Sequence, residues 1–338
     1  MILAVVLLLG LPAVAQSPIT HDVRPGYGVT TIGWLSDYHP PLRGTPGDTR
    51  VYVLDSGVSG GTALVLGGTH GNEIAGVVAA VMLVERAIPT EGRLIVIPHA
   101  NNAVHGYPDS RCPSCPSWVE LNGPDGASRL FRYSPRLTNP VHQSPDPSSY
   151  VHPSGLAFAG EEARNLNRVY PGVADGTLTE RIAYAITRLV IEESVDYVFD
   201  LHEAGVTSRL AHTLVCHPRA LQVGAIAVMD LELEGLVMKL EPSREEFRGL
   251  SHRELGDLTE ALVFLIETPN PGQESGLDAP DVVADPVHPL EERVGVHLAF
   301  VLEVLNIGRS LGLAPVSVNG MPDYQQLVRL GAPAWLNW

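Results

Sequence analysis

Residues 62–76 read TALVLGGTHGNEIAG. Thr62–Leu66 is a short apolar run without polar alternation, bounded by glycines on both sides. That is the pattern of a strand covered on both faces. Gly67 and Gly68 follow and let the backbone turn tightly. An apolar stretch with helical spacing then runs from residue 73 to 87. Strand, glycine turn and helix make the opening of an α/β unit. The polar residues at the turn, His70 and Glu73, stand at the carboxyl end of the strand, where open α/β sheets place their sites.

Working outward, residues 51–54, Arg93–Ile97, 196–201, Thr213–Cys216 and 261–266 also read as strands, with Pro98 stopping the second. Helices are expected over 179–193, most of 219–240, and 289–311, where Pro289 sits near the first turn. The alternation predicts an α/β fold with a mixed, mostly parallel sheet flanked by helices on both faces. Residues 106–163 break the pattern, being rich in Pro, Ser and Gly with no clear period. Trp118, Phe131, Tyr133 and Tyr150 nevertheless give this segment apolar anchors that a disordered linker lacks. A long ordered loop in such a domain is usually functional. The expected division is a leader at 1–15, an N-terminal extension at 16–50, a catalytic domain at 51–312 with the 106–163 insertion, and a tail at 313–338.

Composition narrows the function. The 338 residues are 45% hydrophobic and 18% charged, the profile of a folded globular chain. A formal charge of −16 excludes a broad nucleic-acid interface, which needs a basic field. Residues 2–15, ILAVVLLLGLPAVA, are too short for the ~20 residues of a spanning helix. They end in Ala13-Val14-Ala15, the A-x-A arrangement of a signal-peptidase site, although no Lys or Arg precedes them. Export is expected, to the periplasm or beyond the cell, with no membrane span after cleavage. Of the three cysteines, Cys112 and Cys115 form C-P-S-C and Cys216 stands alone. One disulfide and a spare thiol fit an exported protein. A four-cysteine zinc site is excluded, and redox catalysis does not suit a Pro/Ser-rich loop.

Four stretches carry chemistry. The first is GGTHGNEIAG, with His70 and Glu73 spaced H-x-x-E. Thirteen histidines make a chance match to that spacing unsurprising, and His288 and Glu291 form a second copy. That copy opens a helix, where a first-turn Glu is favourable in any case. The second stretch is DYVFDLHEAG. Asp200 and His202 alternate onto one face of the strand end, so Asp200 can orient His202, while Glu203 should point elsewhere. Two His and one carboxylate make a catalytic zinc set, with a fourth position open for water. The third is RNLNRVYPG, where Arg168 in a turn suits bidentate grip of a carboxylate or, more simply, a surface salt bridge. The fourth is ALVFLIETPNP, an apolar strand ending in Glu267. A buried carboxylate needs a partner or a task, and beside zinc it would serve as the general base.

Taken in order, these motifs resemble the zinc carboxypeptidase superfamily, and most closely its succinylglutamate desuccinylase/aspartoacylase branch. GGTHGNE, NLNRVYPG and DLHE carry the resemblance, which runs roughly from residue 51 to 311. It implies one zinc per chain held by His70, Glu73 and His202, with Glu267 as the catalytic glutamate. Asn167 and Arg168 would bind the substrate carboxylate. A further arginine upstream would stabilise the oxyanion. Arg136 and Arg164 both qualify, and Arg136 is preferred because Arg164 lies so close to Asn167 and Arg168 that it can serve the turn itself. The implied substrate is a small N-acyl amino acid or a peptide, cut by a deacylase or a carboxypeptidase-like enzyme. A zinc-containing module that captures carboxylate-ended ligands without cleaving them is the alternative, and a retained base at Glu267 argues against it.

Overall fold

Eight strands form the central sheet of the computed structural model, which describes residues 22–107, 115–273 and 280–338. In chain order they are β1 (Thr31–Trp34), β2 (Arg50–Asp55), β3 (Thr62–Leu66), β4 (Arg93–Ile97), β5 (Tyr197–Gly205), β6 (Thr213–Cys216), β7 (Lys239–Pro242) and β8 (Leu262–Asn270). Their order across the sheet is β1-β2-β4-β3-β5-β8-β6-β7. The central four, β4, β3, β5 and β8, are mutually parallel. β2 and β1 extend one side antiparallel, β6 runs antiparallel to β8, and β7 is parallel to β6. The expected leader lies outside the described residues, as does Cys112; Cys115 is disulfide-bonded and Cys216 is a buried free thiol.

The helices are α1 (Ile74–Arg86), α2 (Leu178–Glu192), α3 (Leu221–Leu233), α4 (Ser251–Leu258), α5 (Leu290–Ser310) and α6 (Tyr324–Leu330). α1, α3, α5 and α6 share one apolar layer with Val65, Phe199, Leu201 and Phe264 of the sheet. α2 and α4 share the other with Leu64, Leu66, Val198 and Val263. Period-two alternation assigns each strand residue to its layer, so Val198, Asp200 and His202 face the α2/α4 side while Phe199, Leu201 and Glu203 face α1 and α5. Every α1 residue from Ile74 to Glu85 is buried. Its continuous apolar sequence is thus a consequence of cover on all sides. Gly76 is required there, since a Cβ would stand 2.6 Å from the Leu201 carbonyl oxygen. Gly68, at φ +64°, makes the left-handed turn between β3 and the first motif.

The structure adds detail at three places. The helix expected over most of 219–240 ends at Leu233; Gly235, at φ +92°, breaks it, and residues 239–242 form the edge strand β7. Within 106–163, expected as a long ordered loop, the described residues form two hairpins. Trp118–Asn122 pairs with Ser128–Arg132, and Ser149–Val151 with Ala157–Ala159. The first hairpin drives Val119, Leu121 and Phe131 into the α1 layer. The sheet also begins before residue 51, because β1 pairs with β2, and the tail is integral to the fold. Within that tail, Ser317–Asn319 pairs with Ile88–Glu91, and Asn337 is held by Glu85.

Two ion-paired clusters fix the elements that surround the site. Glu203 is fully buried at the end of β5. It pairs with Arg293 of α5 and accepts from the Ala75 backbone nitrogen at 2.9 Å. On α4, Asp257 receives Arg253, Arg248 (2.8 Å) and His217 (3.1 Å). Burial opposes its ionisation, but these partners win and hold its carboxyl at about 2. Arg293→Met should cost roughly 3–5 kcal/mol, because it strands a buried charge; a loss under 1 kcal/mol in denaturant unfolding would refute this account. Because the folded pKa of Asp257 is depressed, its contribution is present above about pH 4 and disappears as pH falls toward 2. Asp257→Asn should therefore lower stability by about 1–2 kcal/mol at pH 7 and by almost nothing at pH 2, as read from paired melting curves.

Candidate metal centre

His70 and Glu73 leave the end of β3 on either side of a single turn, and His202 stands in the buried C-terminal half of β5 beside them. All three are at most 1% exposed. His70 Nδ1 lies 2.7 Å from Glu73 Oε1, and His202 Nδ1 lies 2.9 Å from Glu73 Oε2. The two imidazoles meet edge to face, with centroids 4.8 Å apart.

The far side of each ring decides what the near side offers. His70 Nε2 is 3.0 Å from Asn165 Oδ1. Asn165 cannot be turned round, because its Nδ2 donates to Glu162 Oε2 (2.7 Å) and its Oδ1 accepts from the Asn167 backbone nitrogen (3.0 Å). His70 therefore carries its proton on Nε2 and presents a lone pair at Nδ1. Asp200 Oδ2 stands 2.9 Å from His202 Nε2. Asp200 is itself held by Thr69 Oγ1 (2.8 Å) and the Ser251 hydroxyl, so it faces the ring as an ionised acceptor.

The His70 lone pair then points at the Glu73 carboxylate, and both rings crowd that carboxylate, an arrangement that a shared cation would relieve. Glu73 Oε2 is buried with no hydrogen bond, and its close approach to His202 lacks hydrogen-bond alignment. The three ligand atoms lie within 4.8 Å of one another, so the set could hold a metal ion. The charges agree. Burial pushes His70 down to about 4, leaving it neutral. Burial opposes charge on Glu73 too, but the two rings hold its carboxyl well below the usual range. For His202 burial favours the neutral ring, yet Asp200 and Glu73 override it and hold the pKa well above the usual value.

Glu267 lies next to His202 in the β5–β8 register, on the same face. It is intermediate in exposure as a residue, but its Oε2 is buried and has no hydrogen bond. Burial raises its pKa to about 8 against the pull of His202 and Arg136. Arg136 reaches in from the long insertion, its Nη1 3.2 Å from Glu73 Oε1. Arg168 donates to the Asn167 carbonyl at 2.7 Å, keeps about a quarter of its side chain exposed, and feels Glu267 and Arg136 electrostatically. Asn167 Oδ1 accepts from the Ser251 backbone nitrogen at 2.8 Å.

Arg164 is held within the chain. Its Nε and Nη2 pair with Asp146 at 2.7 and 2.9 Å, and its Nη1 donates to the Thr138 carbonyl at 2.7 Å. With all three nitrogens committed it fastens the insertion, whereas Arg136 is the candidate that reaches the cluster. The second H-x-x-E copy lies at the start of α5, with Glu291 in its first turn. Four contributors escaped the sequence reading: Asn165, Thr69, Ser251 and Gln273. Gln273 donates to Glu73 Oε1 (3.1 Å) and to the Glu203 carbonyl (2.7 Å). Asn165 and Thr69 stand inside stretches already singled out; Ser251 and Gln273 reach the site only through tertiary packing.

Residues 150–266 match the succinylglutamate desuccinylase/aspartoacylase catalytic domain family. The chain resembles that family over Asn167, Arg168 and His202; the match ends one residue before Glu267. A 150-residue stretch is 31% identical to an N-alpha-acetyl-L-2,4-diaminobutyric acid deacetylase of Halomonas elongata, covering 44% of this chain and 30% of that protein. A succinylglutamate desuccinylase from Silicibacter sp. TM1040 is 18% identical, over 82% of this chain and 64% of its own, with a TM-score of 0.48. An aspartoacylase family protein from Mesorhizobium loti is 23% identical, over 79% and 62%, with a TM-score of 0.44. The chain thus spans less than a third of the curated relative and just under two thirds of these two structures. Among the described residues no helix is long and apolar enough to cross a membrane.

The orienting role of Asn165 is measurable. Asn165→Ala should weaken divalent-metal affinity roughly 10–100-fold, the usual cost of losing a ligand's outer partner. Competition with a chromophoric chelator, using zinc as the probe, reads the change. Unaltered affinity would show that His70 is oriented by something else.

Proposed function

We propose that the protein is a zinc-dependent hydrolase that cuts an amide bond beside a carboxylate, acting on small N-acyl amino acids or short peptides. The observation that carries this reading is Glu267: a carboxyl with no hydrogen bond at its buried oxygen, set beside the His70–Glu73–His202 cluster and facing two partly exposed arginines. The resemblance to deacylases supports it. A module that only captures ligands has no use for such a base.

The ligand set is nitrogen, nitrogen and carboxylate oxygen, which suits zinc. When bound, zinc would supply Lewis acidity toward the scissile carbonyl and toward water. The chain does the rest. Arg168 and Asn167 hold the substrate carboxylate and set the distance from it to the scissile bond. Arg136 balances negative charge developing on the carbonyl oxygen. Glu267 takes a proton from the attacking water and passes it to the leaving nitrogen. Glu203 is no substitute base, since it faces the other layer and is paired with Arg293. We further propose that the chain is exported, to the periplasm or outside the cell, with cleavage after Ala15. The disulfide at Cys115 supports an oxidising compartment.

A panel of N-acyl amino acids and peptides, assayed with and without chelator, tests the reaction class. Release of no amino acid from any of them would defeat it. His202→Ala should abolish stoichiometric zinc binding, as read by metal analysis. Glu267→Gln should lower kcat by roughly 10²–10⁴ while leaving zinc content intact; normal turnover would remove Glu267 from the mechanism. Arg168→Ala should raise KM and shrink the preference for free acids over their amides. An undiminished preference would move the clamp elsewhere.

A further inference from the structure

Glu162 stands in no motif read from the sequence, yet it touches both functional halves of the site. It lies in the short turn Gly160–Arg164, with about a quarter of its side chain exposed. Its Oε2 accepts from Asn165 Nδ2 at 2.7 Å and is also 3.4 Å from Arg168 Nε. Its backbone carbonyl accepts from the Asn165 backbone nitrogen at 3.0 Å. One carboxylate oxygen therefore serves two arms.

Along the first arm, Glu162 commits the Asn165 amide nitrogen, and so turns the amide oxygen toward His70 Nε2. Along the second, the approach to Arg168 is a contact of charge, since the guanidinium's hydrogen bond goes to the Asn167 carbonyl instead. Phe158 lies 5.8 Å from the guanidinium carbon. Arg168 thus meets any incoming anion with one anionic neighbour already beside it and its hydrogen-bonding edge only partly used.

We propose that Glu162 is a specificity-determining residue: its hydrogen bond to Asn165 keeps His70 in its ligand orientation, while its charge competes with the substrate carboxylate for Arg168. The proposal rests on Arg168 being the carboxylate clamp. It makes the site selective for carboxylates that can outcompete Glu162 for the guanidinium, and it weakens retention of a product that still carries the same carboxylate.

Glu162→Gln and Glu162→Ala separate the arms. Glutamine keeps an oxygen that accepts from Asn165 but removes the charge; alanine removes both. The probes are 4-oxopentanoate, a ketone that imitates an N-acetyl amino acid and contains no scissile amide, and its carboxamide. Each is titrated calorimetrically into the zinc-loaded full chain. E162Q should bind the acid roughly 2–5-fold tighter than the parent, the scale of a partly exposed ion pair, and the carboxamide equally well. Its zinc affinity should stay within about twofold, whereas that of E162A should fall about 10-fold, by chelator competition. Equal or weaker acid binding by E162Q, no binding of the acid by either protein, or unchanged zinc affinity in E162A would overturn the proposal. If the parent hydrolyses no N-acyl amino acid but the acid–carboxamide difference responds to E162Q as expected, the hydrolytic reading fails and this one stands.

Discussion

A single carboxylate held between two imidazoles, with almost no water around it, is the constraint on which the rest of the site depends. Glu73 meets His70 through one oxygen and His202 through the other. In a low-dielectric interior such a cluster is costly unless every outward-facing atom is satisfied and the inward-facing ones share a positive centre. The surroundings follow from that demand. Asn165 accepts from the far nitrogen of His70, Asp200 stands 2.9 Å from the far nitrogen of His202 as a contact of charge, Thr69 and Ser251 steady Asp200, and Gln273 and Arg136 approach the crowded oxygen of Glu73. These six residues come from segments scattered along the chain, so the site is a product of the whole tertiary fold and not of one loop.

Strand β5 shows how a two-residue period divides labour. Asp200 and His202 face the α2/α4 layer and do chemistry; Glu203 faces α1 and α5 and does structural work with Arg293. Three polar residues within four positions of a core strand would be an anomaly if they shared one environment. Split across two faces, each has its own partners. The neighbouring strand β8 repeats the logic: Glu267 stands beside His202, while Thr268, one residue on, turns to His297 of α5 at 3.2 Å.

The central strands and long helices were legible because burial on both faces leaves a strong trace: an unbroken apolar run bounded by glycine or proline. Thr62–Leu66, Arg93–Ile97 and Thr213–Cys216 were read with the boundaries the structure gives them. β1 was not legible, since an exposed edge strand needs no apolar pattern, and its residues are mostly open to solvent. The hairpin Trp118–Asn122/Ser128–Arg132 does alternate, but over too few residues to stand out from its Pro- and Ser-rich flanks. At the site, residues whose chemistry is tied to a strand end or a turn could be named in advance. Arg164 could not be assigned from type alone, because a guanidinium reads the same whether it faces a ligand or Asp146. Ser251 and Gln273 gave no signal, because their roles are contacts between distant segments.

The complete enclosure of α1 has one more consequence. A helix with a solvent face can fray and reclose while the domain stays folded, and its amides then exchange through small local openings. α1 has no such face over Ile74–Glu85. Its hydrogen bonds can be exposed only by lifting α5, the Trp118–Arg132 hairpin or the sheet away from it, which amounts to opening the whole molecule. Glu73 is the residue at which the chain enters this helix. The ligand is thereby tied to the most cooperative unit of the fold, and its position is as durable as the native state itself.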